Sequence, residues 1–113
     1  MSLPEYKIKS DNIKGNSEET SAVSKISYEI ENANNNGLND ESIKRQIKKA
    51  QNNNRFPENL SYVRSYTDPK TGTTTSAFLN KDTGKVTLGM TGTNVHKDAI
   101  LKQTFVFLLI KDI

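Results

Sequence analysis

The sequence predicts an α+β fold: two N-terminal helices, a three-stranded antiparallel meander and a C-terminal helix. Three observations lead there. Val23, Ile26, Ile30 and Ala33 recur at helical spacing, and Ile43, Ile47 and Ala50 do so again. After Leu60 the period changes to that of strands, most cleanly in "KVTLGMT", where Val86, Leu88 and Met90 alternate with Thr87, Gly89 and Thr91. Two short polar stretches, "DPKTG" and "KDTG", separate the strand-like runs and are too short for anything but tight reversals, which makes neighbouring strands antiparallel.

Taken in order, residues 1–16 are polar, carry Pro4 and Gly15 and show little periodicity, so they read as a flexible arm. Residues 17–113 read as a single small domain or the N-terminal fragment of a larger one. The first helix begins after Ser17, with Glu18 and Glu19 where a helix N-terminus favours acids, and "NANNNG" ends it at Gly37. Asn39 or Asp40 caps the second helix, Lys48 and Lys49 sit near its end, and "QNNNRFPENL" closes it, with Pro57 holding Phe56 out of helical geometry. "SYVRSYT", "TTTSAFLN" and "KVTLGMT" are the three strands. Asn94 to Asp98 opens the final helix, for which Ala99, Ile100, Leu101, Phe105, Leu108 and Leu109 supply apolar surface.

Composition narrows the function classes. The chain has 113 residues, 33% of them hydrophobic, and a mean hydropathy of -0.72, so its core is modest for its length. A net charge of +3 is too small to single out a dedicated nucleic-acid binder. Without cysteine there is no disulfide, thiolate metal site or cysteine nucleophile. The N-terminus has no apolar stretch of signal-peptide type. The longest apolar run, "FVFLLI" at 105–110, falls far below the roughly 20 residues of a membrane span. The expected location is the cytoplasm as made, or the exterior by a route that needs no cleaved signal.

Several candidate sites resolve into ordinary structure. Lys44, Arg45, Lys48, Lys49 and Arg55, followed by Tyr62 and Tyr66, could bind phosphates and stack bases. Their layout, acids at the helix start and bases at its end, is equally that of a solvated helix complementing its own dipole, so nucleic acid is not expected as a partner. "DTGKV" lacks the first glycine and the hydroxyl of a phosphate loop, since Leu79 and Val86 stand there. His96 is the one histidine, and no ligand spacing around it supports a metal. Ser17, Ser21, Ser24 and Ser27 lie on or near the first helix, and no Gly-x-Ser-x-Gly occurs.

One corner remains, Gly92-Thr93-Asn94, where the third strand is expected to turn into a helix. Glycine permits a sharp turn and close approach of a ligand, and an amide at a strand end beside a helix start can face developing negative charge. The run "TSAFLNKDTGKVTLGMTGTN" resembles the early part of a class 3 lipase-like α/β-hydrolase, as found in Gram-positive bacterial proteins. The likeness covers roughly residues 60–104. It implies that Gly92 matches the family's glycine, that Thr93 faces the oxyanion, and that Asn94 takes a position usually held by Asp or Asn. Met90 and Thr91 replace the family's aromatic residue and arginine, and Asp98-Ala99 stands where Asp-Trp often follows.

The family's nucleophile elbow, acid and histidine lie later in such proteins. The resemblance therefore implies an incomplete α/β-hydrolase fold: a truncated segment, inactive alone, of a parent that cleaves lipid or other ester substrates without a cofactor. The other expectation is a self-contained α+β module that binds a protein partner through the meander edge or the apolar C-terminal segment.

Overall fold

In the computed structural model, which describes residues 4–96 and 99–109 and side chains as far as Gly92, the chain is an α+β domain with a four-stranded sheet. Helices α1 (Glu19–Asn35) and α2 (Asp40–Asn52) precede strands β1 (Leu60–Thr67), β2 (Thr74–Asn80), β3 (Val86–His96) and β4 (Ala99–Leu109). The strands lie in sequence order and each neighbouring pair is antiparallel.

Both helices begin on side-chain caps. The Glu18 carboxylate accepts from the Thr20 and Ser21 amides, each at 3.0 Å, and Asn39 accepts from Ser42 at 2.9 Å. The Thr20 hydroxyl and these amides hold the Glu18 carboxyl below its usual pKa. After α1 the chain reverses at Gly37, whose φ of +80° suits glycine. The helical stripes read from the sequence are the buried ones: Val23, Ile26, Ile30 and Ala33 from α1, and Ile43, Ile47 and Ala50 from α2. Each buried isoleucine contributes roughly 1.5–3 kcal/mol over an exposed one. They meet Phe56, Leu60, Tyr62 and Phe78, with the Phe78 ring 5.5 Å from Phe56 and 5.7 Å from Tyr62.

The chain departs from expectation in two places. Residues 4–16 are not a loose arm. Ile13 is buried in the core, the Tyr6 hydroxyl donates to Glu29 at 2.9 Å, and the Ile8 amide donates to the Gln46 side chain at 2.7 Å. Arg45 clasps Glu5 through both carboxylate oxygens, at 2.7 and 2.9 Å, which holds that carboxyl below its ordinary pKa. Burial pushes the Tyr6 phenol up. A polar segment with weak periodicity docks here because its partners, Glu29 and Gln46, lie on helices far along the chain.

The second departure is the expected C-terminal helix. Ala99–Leu109 is instead β4, paired with β3 from Val86↔Leu109 to His96↔Ala99. "TFVFLL" is rich in β-branched and aromatic residues, which suit a strand, and an adjoining strand edge gives its backbone groups partners.

Candidate functional site

The candidate oxyanion residues lie inside a strand. Gly92, Thr93 and Asn94 belong to β3 and face Gln103, Lys102 and Leu101 of β4 in register. The extended strand continues past them to His96, so the strand-to-helix corner is absent. A Cβ on Gly92 would sit 3.3 Å from the Thr73 hydroxyl, so this glycine allows the β1–β2 turn to approach β3. His96 pairs with Ala99 through its position in the ladder, and the side chains of Thr93, Asn94 and His96, like Asp98 as a whole, lie outside the described residues. In the isolated chain the backbone of these residues forms part of a ladder.

The basic helix and the tyrosines are not brought together either. Lys44, Lys48 and Lys49 lie on the exposed side of α2, while Arg45 is engaged by Glu5 and Arg55 by Asp11 at 2.9 Å. Tyr62 is buried on the helix side of the sheet, where its hydroxyl lies 2.6 Å from Asp40 and 2.7 Å from Ser65. Burial first, and then the Asp40 carboxylate, push its phenol far above the ordinary range. Tyr66 is exposed, but in register it alternates to the opposite face. No stacking array runs beside the cations. Ser27 is buried with its hydroxyl donating to the Val23 carbonyl at 2.6 Å, which leaves no nucleophile on α1 at that position. Among the described residues no group of three or more His, Cys, Asp or Glu side chains could hold a metal, and no helix is long and apolar enough to cross a membrane.

What the fold does assemble is an uncovered apolar face. The register sorts the strand residues into two sets. Thr74, Ser76 and Phe78 of β2 and Thr87, Gly89 and Thr91 of β3 are buried on the α1 side. Their neighbours Ala77, Leu79, Val86, Leu88 and Met90 alternate to the other side and are half-buried, although neither helix among the described residues lies over them. On β1 a bulge at Val63 shifts the register between Tyr62 and Arg64, leaving Val63 50% and Tyr66 59% exposed. Antiparallel sheets that present one face to water ordinarily put polar residues there and apolar ones inside. β3 does the reverse. The alternation of Val86, Leu88 and Met90 was visible in the sequence, but which side α1 would cover was not.

The reason α1 takes the small-residue side is steric. A Cβ on Gly89 would run into the Ser27 hydroxyl and lie 3.0 Å from a methyl of Val23, so only glycine lets α1 settle on β3 here. Glu19, in the first turn of α1, anchors this contact by accepting from Asn80 at 2.6 Å and from the Thr87 hydroxyl.

Compared with known proteins, the chain matches no family model, no curated protein and no solved structure.

Proposed function

We propose that the chain is an N-terminal segment of a lipase-like ester hydrolase, contributing strands and the Gly92-Thr93-Asn94 stretch of the oxyanion region to a larger sheet, and without hydrolytic activity of its own. The observation that carries this reading is the apolar face formed by Ala77, Leu79, Val86, Leu88 and Met90 on the side away from α1. The central sheet of an α/β-hydrolase is covered by helices on both faces, and strands of such sheets are apolar on both sides or on the side yet to be covered. In the isolated chain the Gly92-Thr93 backbone pairs with β4. The reading therefore requires that ladder to give way to the strand-to-helix corner once the catalytic half is present.

Two measurements test it. Hydrolysis of a short-chain p-nitrophenyl ester by the purified chain is expected to equal that of a Thr93→Ala control. Activity above that control overturns the claim of inactivity. Genomic DNA beyond codon 113 is expected to encode, in one of its frames, a Gly-x-Ser-x-Gly elbow. Absence of such an elbow overturns the hydrolase ancestry.

A second reading is a non-catalytic interaction module. It is favoured by the extension of the sheet by β4 along the whole of β3. A single cooperative thermal transition, with no elbow downstream, supports it.

A further inference from the structure

We propose that this chain associates as a two-fold dimer whose interface is the open face of the sheet, the cover being a second copy of the same chain. The inference concerns the isolated chain; under the hydrolase reading, helices of the catalytic half would take this same face, so the two covers are alternatives.

The face has the chemistry of an interface core. Of the register positions that alternate away from α1, from Ser61 on β1 to Met90 on β3, Arg64 alone carries a charge. On the exposed side of α2, by contrast, Lys44, Lys48 and Lys49 crowd together. Depletion of charge with retention of aromatic, aliphatic and methionine side chains is what marks the centre of a protein–protein contact. In the β3–β4 register Leu109, Phe107 and Phe105 stand opposite Val86, Leu88 and Met90, so the apolar positions continue onto the fourth strand.

Its size matches what a dimer needs. The strands hold 8, 7, 11 and 11 residues. With a rise of about 3.3 Å and a strand spacing of about 4.8 Å, they present a planar footprint of roughly 600 Å². Side-chain relief raises the accessible area toward the roughly 800 Å² per partner of a stable interface.

At the β1 edge, geometry favours stacking of faces over pairing of edges. The bulge at Val63 interrupts the free edge of β1, which blunts it as a template for another strand. A two-fold axis through the centre of the face, between β2 and β3, sets Leu88 and Ala77 near their own copies and leaves both Arg64 side chains, on the outermost strand, at the rim. Sheets stacked in this way sit about 10 Å apart with their strands within about 30° of alignment. The patch is self-complementary because it is uncharged at its centre, the condition an isologous contact imposes.

Sedimentation velocity of the full chain from about 1 to 100 μM, a range spanning typical homodimer affinities, is the test. The wild type is expected at twice the 12.6 kDa chain mass at the upper end. Leu88→Lys, at the centre of the face, is expected to yield monomers, and Tyr66→Lys, at an exposed position beside Arg64 on the outermost strand, to weaken association by about tenfold. Self-association of Leu88→Lys should weaken by at least about 100-fold, because a charge would be buried there unpaired. Far-UV circular dichroism reports that each variant is folded, and Lys48→Glu on α2 is expected to leave the dimer intact. A wild type that stays monomeric throughout overturns the proposal and leaves the face to a different polypeptide. A dimer unmoved by both Leu88→Lys and Tyr66→Lys overturns it by locating the contact elsewhere. Growth beyond the dimer overturns it by showing open-ended association.

Discussion

The two faces of the sheet differ in a way that hydropathy alone does not anticipate. Under α1 lie Thr74, Ser76, Thr87, Gly89 and Thr91, all buried, whereas Ala77, Leu79, Val86, Leu88 and Met90 lie on the side without a helix. The helix brings its own apolar stripe of Val23, Ile26 and Ile30, and what it requires beneath it is a low surface. Small residues let the helix axis come close, and dispersion across that tight contact replaces some of what larger side chains would supply. The hydroxyls on this face then need partners. Thr74 shares a hydrogen bond with Thr67 at 2.7 Å and Thr87 donates to Glu19, while Ser76 Oγ and Thr91 Oγ1 find none among the described residues. One face is thus specified by fit and polar pairing, the other by apolar area.

Adding a methyl group where fit matters most is the strongest way to break this contrast. Gly89→Ala is expected to destabilise the fold by about 2–3 kcal/mol, because its Cβ meets the Ser27 hydroxyl and a Val23 methyl at 3.0 Å. Urea denaturation followed by circular dichroism measures it. Ser27→Ala removes the hydroxyl, leaving Ser27 Cβ 3.3 Å from the new methyl, so the double variant should recover more than half of the loss. Additive losses would mean that the helix, not the hydroxyl, sets the limit.

Polar pairing on the same face should contribute somewhat less. Glu19 bridges α1 to two strands by accepting from buried Asn80 and buried Thr87. Glu19→Ala leaves both donors without this partner and is expected to cost about 2 kcal/mol in the same assay. Glu19→Gln keeps one acceptor and should lose about half as much. Equal losses from the two variants would assign the effect to the negative charge at the helix N-terminus.

Much of this fold is legible in the sequence, and the illegible parts share a cause. Local signals suffice for α1 and α2, whose stripes at Val23, Ile26, Ile30 and at Ile43, Ile47 are the buried ones, and for turns at Gly72 and Gly84, both with φ of +73°. The docked arm, β4 and the choice of covered face all depend on distant residues. Ile8 finds Gln46, "TFVFLL" finds β3, and Gly89 finds Ser27. The Gly92-Thr93-Asn94 reading depended on a helix following β3, and "TFVFLL" admits helix or strand until a pairing edge is known. Glu19 lies 61 residues from Asn80 and 68 from Thr87, too far for any spacing rule to join them.

The smallest expected effect probes the polar pairing where both helices meet β1. There Tyr62 donates to Asp40 at 2.6 Å, Asp40 also accepts from the Ser65 amide at 3.2 Å, and Asn34 donates to Ser65 at 2.8 Å. Tyr62→Phe keeps the ring against Phe78 and deletes the hydroxyl, which should cost about 1 kcal/mol at neutral pH. The pH dependence separates this hydroxyl from simple packing. Burial and the Asp40 carboxylate raise the folded-state pKa of Tyr62, so the fold favours the neutral phenol. That contribution is fully present below the unfolded tyrosine value of about 10 and is lost as pH rises from there through the folded value. Wild-type stability should therefore fall more steeply above about pH 10 than that of Tyr62→Phe, so the gap between the two closes under alkaline conditions. Parallel stability curves would show that the Tyr62 hydroxyl ionises as freely in the fold as in the unfolded chain, and the anchor at Asp40 would then be a packing contact alone.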